Sequence, residues 1–341
     1  MNFSSDNTSG VSPEILAAIA AANAGAASSY GADAITERLQ ERLAEVFEHE
    51  VAVFPVLTGT AANVLGLASL VPPWGLVYAH EEAHILAHEC GALEFYAGAR
   101  IHGIPSESGK ITAAQLAALL PGEKGNVHAV QPSAVSLTQA SEAGTVYRID
   151  EIAAIAEVAR SHGLSMHMDG ARFANALVRL GASPAEMTWK AGIDVLSFGA
   201  TKNGAMSAEA LIFFDPARAA DVAFRRMRAG HLVSKMRFMS AQLEAYLTDD
   251  LWLRNARHAN AMAARLAAGL AGLPSVRIRN EVEANEIFAE LPEELIAHLF
   301  ERGFAFYRWG ASVRLVTAFN TSGDDVDAFI AAVRDWQARA A

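Results

Sequence analysis

Apolar positions in this chain fall into short runs closed by polar turns, separated by longer stretches with helical spacing. Runs at 51–56, 75–79, 100–104, 127–131, 164–168 and 193–198 read as strands, the one at 193–198 being apolar and β-branched. Between them, 60–70, 84–91, 112–120, 149–161 and 172–180 read as helices. Strand alternating with helix predicts an α/β fold, with a mainly parallel central sheet flanked by helices on both faces. Upstream, Ser12-Pro13 offers a cap and a first-turn proline for a helix over 14–22. Residues 33–48 carry Ile35, Leu39, Leu43 and Phe47 on one face.

Residues 211–214 suit one more strand, and 216–273 are helix-rich. Within that stretch the alanine-rich 258–272 reads as closely packed helix. Two further runs, 287–291 and 313–317, are each followed by a helical pattern, which predicts a smaller C-terminal α+β domain. The expected divisions are an arm over 1–13, a large domain over 14–245, and a small domain with its bridging helix over 246–341.

Composition narrows the class. The chain has 341 residues, 52% of them hydrophobic, enough for a large core. No apolar run reaches the length of a membrane span, and the N-terminal residues lack a signal-peptide pattern. A net charge of −11 argues against nucleic acid or an anionic membrane as partner. One cysteine, Cys90, permits no internal disulfide and no cysteine zinc cluster. It reads as a packing residue in a cytoplasmic protein.

Chemistry concentrates at strand ends. Asp169 follows the run at 164–168, and Lys202 follows the run at 193–198. Parallel strands would bring both to the carboxyl edge of the sheet, where open α/β folds bind ligands. An aspartate for a pyridinium nitrogen and a lysine for a Schiff base are what pyridoxal phosphate chemistry needs. Thr58-Gly59-Thr60-Ala61-Ala62-Asn63 opens a helix, a weak phosphate signal on its own. His84 could stack on a flat ring or simply face solvent. His80, His84 and His88 recur every four residues, but without an H-E-x-x-H motif no metal is expected. His128, placed in the strand at 127–131, is either a satisfied core histidine or a base. Arg314, inside an apolar run, is either a snorkelling side chain or a fork for a carboxylate.

Taken together these residues resemble the low-specificity L-threonine aldolases, within the aspartate-aminotransferase-like superfamily. The resemblance spans Ser5-Asp6-Asn7, Ser29-Tyr30-Gly31, Thr58-Gly59-Thr60, His84 with Glu89, Thr201-Lys202, Lys235-Met236-Arg237 and 313–317. Its most specific part is His167-Met168-Asp169-Gly170-Ala171-Arg172-Phe173-Ala174-Asn175-Ala176. It implies pyridoxal 5'-phosphate held by Lys202, with Asp169 at the ring nitrogen, Arg172 at the phenolic oxygen and His84 stacked on the ring. Gly59 and Thr60 would bind the phosphate. Tyr30 and Arg237 would reach in from a neighbouring subunit of a homo-oligomer, a dimer of dimers. Ser5 and Arg314 would hold the carboxylate of an amino-acid substrate, and His128 would face its β-hydroxyl.

The implied reaction cleaves L-threonine or L-allo-threonine, and possible aryl analogues such as phenylserine, to glycine and an aldehyde. Departures at Thr201-Lys202-Asn203, His231-Leu232-Val233-Ser234 and Leu137-Thr138-Gln139 bear on the phosphate contacts and the β-substituent. A β-eliminating lyase or racemase would use the same Lys–Asp pair. A non-catalytic binding protein would not need Ser5, His84, His128 and Arg314 together.

Overall fold

The computed structural model describes residues 1–120 and 125–340. Seven strands form the main sheet: β1 Ala52–Val56, β2 Gly75–His80, β3 Arg100–Ile104, β4 Gln131–Thr138, β5 Ser165–Gly170, β6 Val195–Gly199 and β7 Glu209–Phe213. Their order is β1-β7-β6-β5-β4-β2-β3, with β7 alone antiparallel to its neighbours. Strands β2, β5, β6 and β7 are buried along their whole length. Helices cover both faces of such strands, so even their polar side chains, such as His167 and Ser197, are buried. Phe47, Phe173, Phe198 and Tyr246 are fully buried in the main core.

A second, antiparallel sheet orders β10-β11-β9-β8, from β8 Arg277–Ile278, β9 Glu286–Glu290, β10 Tyr307–Trp309 and β11 Ser312–Val316. The twenty-residue helix Leu251–Leu270 touches both halves: Trp252 and Ala256 join the main core, and Leu266 and Leu270 the smaller one. The N-terminal segment is fastened to the small sheet. Phe3 donates its N–H to Ala305 at 2.7 Å and accepts from Val316 at 2.8 Å, and its ring is fully buried.

Two sequence expectations change. The strand expected at 127–131 instead runs from 131 to 138. Residues 125–130 form a turn in which Asn126 Oδ1 accepts the His128 N–H at 2.9 Å. The Gln131 side chain ties that turn through Gly125, Asn126 and Ala129. Val127 is 92% exposed, so the apolar run there is not core. Pro132, the second residue of the strand, and two serines made the true strand look polar. The single helix expected over 84–91 breaks into His84–Ala87 and Ala92–Ala97. Cys90 and Gly91 take left-handed φ of 54° and 70° at the break. Cys90 is exposed, not packed.

Candidate active site

Parallel pairing sets the site. Asp169 lies opposite Ser197 in the β5–β6 register, so the Lys202 turn emerges at the same edge. Close backbone packing holds that edge: a Cβ on Gly199 would come within 2.7 Å of the Ala171 Cα. Past Lys202, Gly204 takes φ 113°, which reverses the chain where an L side chain would be strained. A cleft of about 610 Å³ opens here, lined by Ser5, Gly59, His84, Asp169, Lys202 and Arg314 among others.

Asp169 is buried, and both its oxygens are fixed. Oδ1 accepts from the Ala171 N–H at 2.9 Å and Oδ2 from Asn63 Nδ2 at 2.8 Å. Asn63 sits one turn into the helix Gly59–Leu70, and its amide also donates to Glu89 Oε1 at 2.9 Å. The same Glu89 oxygen lies 2.9 Å from His84 Nδ1. A continuous polar chain therefore runs Asp169–Asn63–Glu89–His84. The bond to Glu89 raises the His84 pKa above its ordinary value against the opposing effect of burial. The broken helix at Cys90–Gly91 is what lets Glu89 turn back to His84.

Lys202 makes no hydrogen bond or ion pair among the described residues, whereas Lys190 is paired with Glu48 at 2.7 Å. Two residues before Lys202, the Ala200 N–H is bonded to the buried Glu209 at 3.0 Å. At the far wall, Thr58 Oγ1 caps the helix Gly59–Leu70 through the Ala61 N–H. The Gly59 and Thr60 N–H groups precede its first intrahelical bond, and a Cβ on Gly59 would meet nothing within 4 Å. Open space over free N–H groups at a helix start suits an anion.

Arg172 does not face the cleft as a free fork. Its Nε and Nη2 donate to Asp6 at 2.8 and 3.0 Å, and Nη1 lies 3.1 Å from Glu286 Oε2. Burial pushes the Asp6 carboxyl up, but Arg172 and Lys202 together hold it below its ordinary value. Arg314 donates Nη2 to Ser4 O at 3.2 Å and packs over Trp309, 4.8 Å from guanidinium to ring. Its Nε is buried with no partner. An unpartnered buried guanidinium nitrogen beside the cleft is what a carboxylate ligand would satisfy.

Ser5, Gly59, Thr60, His84, Asp169, Arg172, Lys202 and Arg314 thus line one cleft. His128, Tyr30 and Arg237 do not. His128 lies in the exposed turn before β4, at the amino end of the strands and opposite to Asp169, so within one chain it does not face a substrate there. Tyr30, 53% exposed, donates its N–H to Ser234 O, and Arg237 donates to Gly25 O. These two share one outer surface. Sequence reasoning missed Asn63, Glu142, Glu209 and Glu286. Asn63 stands in the quoted helix-start motif, one turn from Gly59; the three glutamates carry no local signature.

The β-eliminating lyase family model matches residues 2–294. A low specificity L-threonine aldolase of Pseudomonas aeruginosa is 46% identical over 306 residues, covering 89% of this chain and 88% of that one. A second, from another Pseudomonas, is 42% identical over 335 residues, covering 97% and 96%. A solved Leishmania major threonine aldolase superposes with TM-score 0.93 at 28% identity, covering 98% and 99%.

Proposed function

The chain belongs to the β-eliminating lyase family, and on that premise we propose that it is a pyridoxal phosphate-dependent low-specificity L-threonine aldolase. It would cleave L-threonine, L-allo-threonine and related β-hydroxy-α-amino acids to glycine and an aldehyde. The observation that carries this is Lys202, without a partner, beside a doubly bonded Asp169 at one sheet edge. The residues fit the cofactor: open N–H groups for a phosphate, a buried carboxylate for a ring nitrogen, and an unpartnered guanidinium nitrogen for a carboxylate.

When bound, pyridoxal phosphate supplies an electron sink for the pair released as Cα–Cβ breaks. The residues do the rest. Lys202 Nζ would hold the cofactor. Asp169, fixed by Asn63 and Ala171, would keep the ring nitrogen protonated. Gly59 and Thr60 N–H groups would hold the phosphate. Arg314, with Ser5, holds the substrate carboxylate and so orients the scissile bond. His84, aligned by Glu89, would face the ring. Arg172, clamped by Asp6 and Glu286, shapes the wall near Lys202.

Tyr30 and Arg237 support a site shared between copies of the chain. They are not part of this chain's own cleft lining, and Tyr30 is exposed beside Ser234. Among the described residues no helix is long and apolar enough to cross a membrane.

Borohydride reduction of the cofactor-loaded protein, followed by peptide mapping, tests the site. The adduct should map to Lys202. An adduct on Lys190 or Lys235 would overturn the assignment.

Arg314→Lys should raise KM for threonine about 10- to 100-fold, because a point charge replaces a planar fork worth about 1.5–3 kcal/mol. The cofactor absorbance should not change. An unchanged KM in steady-state assays would remove Arg314 from the carboxylate role.

A further inference from the structure

The cleft has a neighbour. A second cavity of about 690 Å³ lies beside it, bordered by Glu81, Ser106 and Arg308. His88, Glu142 and Trp309 line both spaces. His88 follows the short helix His84–Ala87, with its ring 5.7 Å from that of His84 and 5.4 Å from that of Trp309. Trp309 in turn lies under Arg314. His88 therefore stands between the residue read as facing the ring and the residue read as holding the carboxylate. With the substrate amine at Lys202 and its carboxylate at Arg314, the branch still to be placed is the β-carbon. The wall left for it is the one His88 shares with the second cavity.

We propose that His88 is the base that takes the proton from the substrate's β-hydroxyl, at the point where the cofactor cleft opens into the second cavity. This rests on the aldolase reading above. His88 makes no side-chain hydrogen bond among the described residues, so a ring nitrogen is available. His84 Nδ1 is bonded to Glu89. Glu142 Oε1 accepts from the His84 N–H and from Thr138 Oγ1, while its Oε2 is buried without a partner.

Electrostatics divide the two histidines. The bond to Glu89 favours the charged form of His84. Partial burial, then the charges of His84 and Arg314, lower the pKa of His88, with only Glu82 opposing. Glu142, across the shared wall, is pushed up to about 7 by burial and by Asp169, so it carries only part of its negative charge at neutral pH. A pair of groups driven apart in this way assigns its own roles: His84 holds a proton, and His88 is free to accept one.

The step balances. The hydroxyl O–H breaks and its proton goes to a His88 ring nitrogen. The oxygen's electron pair becomes the second bond of the aldehyde as Cα–Cβ breaks. The pair from that bond stays with the glycine fragment, which takes up one proton at Cα. His88 then returns its proton to solvent.

The test compares the parent with His88→Gln and His88→Phe, each loaded with cofactor. Two reactions are followed: threonine cleavage, and exchange of the glycine Cα proton in deuterium oxide by NMR. Exchange involves no hydroxyl, so it should persist in both variants. Cleavage should fall about 10²- to 10⁴-fold, the usual worth of a positioned base. The acid limb of the parent's kcat/KM profile, set below the ordinary histidine value of about 6.5, should vanish. Cleavage at the parental rate with the acid limb intact would overturn the proposal, as would equal loss of cleavage and exchange. A parent with neither reaction would overturn the aldolase reading, and this assignment with it.

Discussion

Alanine in place of Lys202 should reduce threonine turnover by at least about 10⁴-fold. A lysine amine fixed at the sheet edge makes its attack effectively intramolecular, and effective molarities for such steps reach about 10⁵–10⁸ M. Losing it leaves only amines from solution. No other described lysine can replace it: Lys110 is bonded to Glu151 and Lys190 to Glu48, and Lys235 is not part of the cleft lining. The variant should stay folded, because Lys202 makes no hydrogen bond whose loss would leave a buried partner unsatisfied. Circular dichroism checks the fold and a coupled aldehyde assay checks the rate. Turnover within tenfold of the parent would show that Lys202 does not carry the cofactor.

Asp169→Asn should be the second largest loss, about 10- to 1,000-fold in kcat. An anion beside a cationic ring nitrogen raises its pKa by about 1–3 units, at about 1.4 kcal/mol each. Asparagine keeps the size and one acceptor for the Ala171 N–H, but removes the charge. It also sets an amide against the Asn63 amide, so the chain through Glu89 to His84 has to rearrange. Weaker cofactor binding should accompany the slower turnover, and an absorbance titration measures it separately. A variant with parental kcat would place the ring nitrogen elsewhere.

The frame of this molecule was legible because its central strands are buried on both faces. The runs leading to Asp169 and Lys202 carry their polar residues only singly between apolar ones, so their ends could be located and their shared edge inferred. Strand β4 was harder. Pro132, Ser133 and Ser136 broke its pattern, while Val127 and Val130 imitated a strand in a turn. His128 was misplaced with them. The strands β8 and β10, two and three residues long, were not foreseen, for they carry no period of their own.

The site divides in the same way. Residues anchored to strand ends or helix starts, namely Asp169, Lys202, Gly59 and Thr60, followed from local pattern. Residues that act through the fold did not. Asp6 reaches Arg172 across 166 positions, and Glu286 comes from the small sheet. Their carboxylates clamp Arg172 in the cleft wall, and nothing in the local sequence of Arg172 shows it.

Product analysis tests the central claim most directly. Cofactor-loaded protein with L-threonine should release glycine and acetaldehyde in equal amounts. Formation of 2-oxobutanoate with ammonia, or of D-threonine, in place of glycine would contradict an aldolase and point to elimination or racemisation at the same Lys202–Asp169 pair.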